Sequence, residues 1–126
     1  MKYLVLCYYD VKQFEAMPKE KLDAMIAECK VRDIEFKATG KVEFVASQSD
    51  PKTWKCIRGP KGGKPEVTQG PWAEAKEQAG AFFIVEAKDM DEAFAVAMKH
   101  PGPHVTQYVG GGLEIRACDF YEEPNK

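Results

Sequence analysis

Two acidic residues in the middle of the chain, Glu74 and Glu77, are the side chains best suited to proton transfer. They are three positions apart on either side of Lys76, so in a helical turn both carboxylates would point to roughly one side. In a partly buried cleft, one of them could reach a pKa near neutrality and act as a general acid or base. The alternative interpretation is a solvated, charged turn.

Three further residues could bind a ligand. Trp72 follows Gly70-Pro71, so its ring could wall a pocket for a planar ligand or could cap the core. Gln69 could contact a ligand through its amide or hydrogen-bond the backbone of its own turn. Arg116 shares one face of a predicted strand with Glu114. If that face lines a barrel, Arg116 could bind a carboxylate or phosphate; otherwise it could pair with Glu114 or with charges at a dimer interface.

His100 precedes a proline at a predicted helix end, so it is a candidate for catalysis or for a cap of the helix C-terminus. The tyrosines at positions 8, 9 and 108 could supply hydroxyls to a pocket or belong to the core. The 4 cysteines are far apart, with no C-x-x-C pair and no histidine at ligand spacing. Neither a metal site nor a cofactor is therefore predicted.

Length and composition limit the classes of protein to consider. The 126 residues are enough for one core, which predicts a single domain over residues 1–126. The 18 Lys and Arg residues and the 20 Asp and Glu residues are scattered along the chain and give a net charge of −2. This balance argues against nucleic-acid binding, which would show clustered basic residues. No apolar run approaches the roughly 20 residues of a membrane span. The β-rich opening has no signal-peptide cleavage site, so we expect a cytoplasmic protein without membrane contact.

Hydrophobic periodicity predicts the elements that must position these side chains. Helices are expected over residues 18–37 and 89–100, and strands over residues 3–9, 42–46, 54–58, 66–68, 81–87 and 113–117. Residues 42–46 and 54–58 are expected to pair as a hairpin. Residues 59–65, rich in Gly and Pro, and most of residues 102–112 are expected to be connections.

This order of elements is the split βαβ pattern of a ferredoxin-like α+β sandwich with an antiparallel sheet. Two helices cover only one face of such a sheet, yet residues 3–9 and 81–87 are apolar on both faces. A second copy of the chain is the economical cover for the other face. We therefore expect a homodimer with its sheets face to face and a small-molecule cleft beside the interface.

The stretch from Gln69 to Phe83, QGPWAEAKEQAGAFF, resembles the DGPF motif region of the YCII-related (DGPF-domain) family. Asp91-Glu92-Ala93, His100-Pro101 and residues 112–116 are similar to that family's second helix and closing strand, as is the opening MKYL. The resemblance covers nearly the whole chain and implies a ferredoxin-like fold that forms a dimeric α/β barrel.

For function, the resemblance implies two classes. Some YCII-like members are linked to dehydrochlorination of aromatic intermediates by a His/Asp pair, and some DGPF genes accompany extracytoplasmic-function sigma factors. This chain has Gln69 where the family usually carries Asp and Trp72 where it carries Phe. It also has no histidine in its first predicted helix, and an amide at position 69 cannot ionise.

Two hypotheses follow for the whole protein. In the first, a cleft of the homodimer formed by some of the candidate residues binds a small organic molecule; these are Gln69, Trp72, Glu74, Glu77 and Arg116. Its enzymatic version is a cofactor-free lyase or isomerase. In the second, the protein is a non-enzymatic regulatory or interaction protein. A concave pocket with buried carboxylates would favour the first hypothesis, and a filled interface with an exposed apolar patch would favour the second.

Overall fold

The structure, a computed structural model, describes residues 1–60 and 62–125. Lys61, in the predicted loop at 59–65, and Lys126, the last residue of the predicted domain, lie outside the described residues. The elements follow the order β1 (Lys2–Asp10), α1 (Val11–Glu15), α2 (Lys19–Lys37), β2 (Val42–Ser47), a 3₁₀ turn (Pro51–Thr53), β3 (Lys55–Arg58), β4 (Glu66–Gln69), β5 (Glu77–Glu86), α3 (Met90–Ala97), α4 (Gly102–Val109) and β6 (Gly112–Ala117).

The main sheet has four antiparallel strands in the order β2-β5-β1-β6. The two strands predicted to be apolar on both faces, β1 and β5, are its central pair. Val5 lies opposite Phe83 on β5 and Ile115 on β6, which aligns the apolar residues of three strands on one face. The prediction of a ferredoxin-like α+β fold with an antiparallel sheet is confirmed.

The core lies between this face of the sheet and the helices. Its buried residues include Val5 and Phe83 from the sheet, Phe36 from α2 and Val96 from α3. The Phe36 and Phe83 rings meet edge to face with centroids 4.8 Å apart. Each predicted helix is present, and Asp89 caps α3 by accepting a hydrogen bond from the backbone N–H of Glu92.

The opposite face of the sheet, which we call the open face, has no helix packed against it among the described residues. Alternation places Leu4, Leu6, Phe82 and Ile84 there, in the register Leu4 opposite Ile84 and Leu6 opposite Phe82. Phe44 of β2 adds a ring that is 43 % exposed. Glu114 and Arg116 border this apolar centre on β6.

The predicted hairpin between residues 42–46 and 54–58 is wrong. β2 pairs with β5, whereas β3 pairs with β4 as a separate two-stranded sheet. The reason is the chain reversal between them, where Asp50 caps the 3₁₀ turn and Trp54 Nε1 donates to the carbonyl of Ser49 at 2.9 Å. This compact reversal directs β3 away from the main sheet.

The expectation that residues 102–112 are mostly connection is also wrong, because residues 102–109 form α4. The β-branched residues of this segment are poor helix formers, so local preference argues against a helix. Packing outweighs that preference, since Gly102, His104 and Val109 are buried beneath the helix. The short helix α1 was not predicted either.

No helix formed by the described residues has the length and apolar character needed to cross a membrane.

Candidate functional site

The candidate site is a cavity at the end of the central strand pair, where β1 stops and β5 begins. Its volume is about 590 Å³, and it opens between the start of α1, the 3₁₀ turn and the connection from β4 to β5. The polar side chains in its lining are Asp10, Lys12, Glu15, Asp50, Lys52, Gln69, Glu74, Lys76 and Gln78. This volume is within the range of small-molecule sites.

Asp10 is the buried polar residue of this cavity, with 2 % of its surface exposed. It is the last residue of β1 and the N-cap of α1. Oδ1 accepts hydrogen bonds from the backbone N–H groups of Lys12 at 3.0 Å and Gln13 at 3.2 Å. Oδ2 accepts one from Gln13 Nε2 at 3.1 Å, and Lys76 Nζ lies 3.6 Å from the same oxygen. The carboxylate is thus held rigidly from the helix side.

These contacts determine the charge of Asp10. Burial by itself would raise the pKa, but the hydrogen bonds from Gln13, the positive charge of Lys76 and the hydrogen bond from Lys12 together lower the pKa below the usual value for aspartate. Asp10 is therefore ionised at neutral pH. A carboxylate oxygen has two lone pairs, so Oδ2 retains the capacity to accept a hydrogen bond from a ligand.

Gln69 and Gly70 form one wall of the cavity at the end of β4. The Gln69 side chain donates from Nε2 to the carbonyl of Lys52 at 2.9 Å, which ties β4 to the 3₁₀ turn. Gly70 has φ +101°, a backbone conformation that favours glycine, and its N–H donates to the carbonyl of Trp54 at 2.7 Å. The Gln69-Gly70-Pro71 turn therefore forms one wall of the cavity. The Gln69 side-chain amide stabilises this turn through its hydrogen bond to Lys52.

Glu74 lies in the connection from β4 to β5 and lines the same cavity as Asp10 and Gln69. Gln78 holds this connection, since its Nε2 donates to the carbonyls of Ala73 and Ala75, both at 2.9 Å. The connection contains no helix, so Glu74 and Glu77 do not share a helical face. Glu77 is the exposed first residue of β5 and is not part of the cavity lining.

Trp72 lies outside the cavity lining and is 64 % exposed. The Arg58 guanidinium lies over its ring at 4.1 Å from the centroid and donates from Nη2 to the Trp72 carbonyl at 2.7 Å. The ring is thus held against the β3–β4 sheet, where a cation–π contact fixes its orientation.

Arg116 and His100 lie away from the cavity at Asp10. Arg116 donates from Nη2 to Glu114 Oε1 at 2.6 Å on the open face, and Tyr8 donates its hydroxyl to the same oxygen at 3.2 Å. His100 lies beneath the helices, beside a separate cavity of about 140 Å³ that Cys7 also lines.

His100 is surrounded by aromatic rings. It stacks on Phe83 with centroids 4.5 Å apart, meets Phe36 edge to face at 4.9 Å, and accepts a hydrogen bond at Nδ1 from the Gly102 N–H at 2.8 Å. Burial lowers the pKa of His100 to about 4, against a smaller opposing effect of Asp33. Burial likewise raises the pKa of the Cys7 thiol to about 11, so both groups are neutral at pH 7.

The structure therefore brings two of the candidate residues, Gln69 and Glu74, into one cavity and places Trp72, Glu77, Arg116 and His100 elsewhere. Sequence reasoning missed Asp10. The available signal was an aspartate directly after an apolar strand and before Val11-Lys12-Gln13, which is a helix N-cap pattern. Within residues 1–60 and 62–125, no three His, Cys, Asp or Glu side chains are grouped closely enough to hold a metal ion.

The strand order and the helices on one face define a ferredoxin-like α+β protein. The sequence model of the YCII-related domain family matches residues 1–109, and the chain belongs to that family. It is also similar to the uncharacterised protein R00369 of Rhizobium meliloti (strain 1021), with 29 % identity over 124 residues that cover 97 % of this chain and 95 % of that protein.

Proposed function

We propose that this protein binds a small polar organic molecule in the cavity beside Asp10. The observation that carries the proposal is a buried, ionised carboxylate on the lining of a cavity of about 590 Å³. A concave site with a few fixed polar groups is the usual form of a small-molecule site. The apolar open face is the kind of surface that the regulatory alternative predicts. The cavity with its buried carboxylate is the feature that favours small-molecule binding over that alternative.

The charges around the cavity indicate what kind of ligand would fit. Asp10 Oδ2 offers an acceptor to a hydroxyl or ammonium group of the ligand. Lys76 Nζ lies 3.6 Å from that oxygen on an exposed side chain, so it can reach a ligand carboxylate or carbonyl. A molecule with a donor group close to an anionic or carbonyl group satisfies both residues.

A second candidate function is a cofactor-free lyase or isomerase reaction in the same cavity. Its lining includes four carboxylates and the Lys76 ammonium, which is a set of groups suited to proton transfer. The carboxylates are those of Asp10, Glu15, Asp50 and Glu74. The lowered pKa of Asp10 makes it a weak base near neutral pH, since a general base works best with a pKa near the working pH. Binding is therefore supported more directly than catalysis.

We further propose that the protein works as a homodimer in the cytoplasm. The apolar centre of the open face includes Leu4, Leu6, Phe44 and Phe82, which are partly exposed and which a second copy would cover. The 4 cysteines are free, which is typical of a reducing compartment.

The test of binding uses the native protein and two matched tryptophan variants. Ala75 lines the cavity and Ala73 does not, although both are exposed residues of the same connection. Saturation-transfer NMR against a panel of small hydroxy acids, amino acids and phenols should give hits that Ala75→Trp abolishes and Ala73→Trp retains. Hits that survive Ala75→Trp would contradict this site, and a panel without any hit would favour the regulatory alternative.

A further inference from the structure

The outer edge of β6 is a regular strand edge without a partner among residues 1–60 and 62–125. Such an edge presents unpaired N–H and C=O groups to any strand that can align with it. The opposite edge of the sheet, β2, is different because its pairing with β5 is interrupted by a bulge between Val42 and Phe44. Both edges lack an outer partner among the described residues, and β6 is the more regular of the two for strand addition.

The hydrogen-bond pattern identifies which groups of β6 face outward. The Cys118 N–H donates to the Lys2 carbonyl at 2.9 Å, so these two residues form a hydrogen-bonded pair of the β1–β6 ladder. Such pairs alternate along an antiparallel ladder, which directs the backbone groups of Arg116 and Glu114 toward β1. The backbone groups of Leu113, Ile115 and Ala117 consequently point away from the sheet.

The charges of β6 are arranged symmetrically about its middle. Glu114 and Arg116 flank Ile115 and project from the same face. When two copies of the segment run antiparallel about a two-fold axis at Ile115, Glu114 of each lies opposite Arg116 of the other. These opposed residues form non-hydrogen-bonded pairs, in which the side chains are closest.

We propose that β6 pairs with β6 of a second copy of this chain in that register, which joins two sheets into one continuous antiparallel sheet. About six backbone hydrogen bonds would form between the outward groups of Leu113, Ile115 and Ala117. Two ion pairs, each between Glu114 of one copy and Arg116 of the other, would cross the axis on the open face in place of the Arg116–Glu114 contact within each chain. This interface goes beyond the proposed function, since its backbone pairing lies at the sheet edge, away from the Asp10 cavity and from the apolar centre of the open face.

The helix side of the same edge supports a second copy as the occupant. A groove of about 260 Å³ runs beside β6, lined largely by apolar side chains of α3, α4 and β6. Phe94 and Met98 on its rim are 56 % and 51 % exposed. The α3 helix of the second copy would lie across the axis on the same side of the joined sheet. The Phe94 ring and the Met98 thioether of each copy would then be covered.

Neighbouring two-fold registers are disfavoured by the same charges. An axis at Glu114 would place two carboxylates opposite each other, and an axis at Arg116 would do the same with two guanidinium groups. With the axis at Leu113 or Ala117, Glu114 of one copy would not lie opposite Arg116 of the other, so neither ion pair across the axis would form. Charge complementarity therefore selects the axis at Ile115.

The test is a charge swap between two chains, followed by sedimentation velocity at one fixed concentration. Glu114→Arg alone and Arg116→Glu alone each set like charges opposite each other, and each should halve the mass of the native assembly. An equimolar mixture of the two variants should restore the native mass, because every pair across the axis then has opposite charges. In the mixture, each variant still has two like charges at positions 114 and 116 of its own chain. A loss of assembly caused only by repulsion within one chain would therefore not be reversed by mixing.

A second variant distinguishes pairing through β6 from the face-to-face contact. The N–H of Ala117 points outward, so Ala117→Pro removes bonds to a second copy while the β1–β6 ladder stays intact. It should halve the native mass, whereas Gly112→Ala should not. A native protein that is monomeric, a mass unchanged by Ala117→Pro, or a mixture that fails to reassociate would overturn the proposal. An assembly that persists in Ala117→Pro would be the face-to-face dimer alone.

Discussion

At the scale of single residues, Asp10 combines a structural and a binding role in one carboxylate. Its oxygens accept three hydrogen bonds from Lys12 and Gln13 as the cap of α1, which stabilises the charged form. The same bonds hold the carboxylate in place on the cavity lining. A group that is already held and ionised loses little freedom when a ligand binds, and this preorganisation favours affinity.

His100 shows the opposite electrostatic situation, because its aromatic surroundings stabilise the neutral ring. Its pKa of about 4 in the folded protein is below the ordinary 6.5, so the unfolded chain binds more protons between these pH values. The contribution of His100 to stability should be complete above about pH 6.5 and decline as the pH falls toward about 4.

We therefore expect the native protein to lose on the order of 2 kcal/mol of unfolding free energy between pH 7 and pH 4.5 through His100. His100→Gln should be less stable at pH 7 and should lack this part of the pH dependence. Urea unfolding of both proteins at a series of pH values measures the difference. A His100 ring whose NMR signals titrate near pH 6.5 in the native protein would contradict the expectation.

At the scale of elements, the turn from α4 into β6 determines how the last strand reaches the sheet. Gly110 and Gly111 both have positive φ, at +73° and +90°. A Cβ atom on Gly111 would lie 2.0 Å from the carbonyl oxygen of Tyr8, so the turn needs glycine for space as well as for backbone conformation. The close approach aligns β6 with β1.

Replacement of Gly111 by alanine should therefore destabilise the fold by about 2 kcal/mol or more. Gly112→Ala is the matched control, since a Cβ there meets no atom within 4 Å and the stability should change by less than about 1 kcal/mol. Thermal unfolding of the two variants measures both effects. Equal melting temperatures would show that the turn can relax around the added methyl group.

The elements also show which features of the fold can be predicted locally. The patterns of β1 and β5 predicted these strands because their own residues determine period and burial. The partner of β2 could not be predicted in this way, since it depends on the reversal at Asp50 and Pro51 rather than on the strand itself. Helix α4 was missed because packing against the sheet, and not its β-branched sequence, stabilises it.

At the scale of the whole molecule, the functional site could likewise be predicted only in part from local sequence patterns. Gln69 and Glu74 were chosen from a local motif, and the structure does place both on one cavity. Asp10 joins them from a position about sixty residues earlier in the chain, through the register that pairs it with Glu77. Such long-range proximity follows from strand order, which local patterns do not specify.

The open face is the proposed contact surface of the face-to-face dimer. Leu6 lies near the centre of this face, opposite Phe82, so Leu6→Glu would bury an unpaired carboxylate in the dimer. In an Ala117→Pro background, which removes pairing through β6, we expect at least a 100-fold weaker dimer, or about 3 kcal/mol. Ile34→Glu, at a 70 % exposed position of α2, should leave the dimer intact. Sedimentation equilibrium measures both constants, and a dimer that tolerates Leu6→Glu cannot be held together by this face.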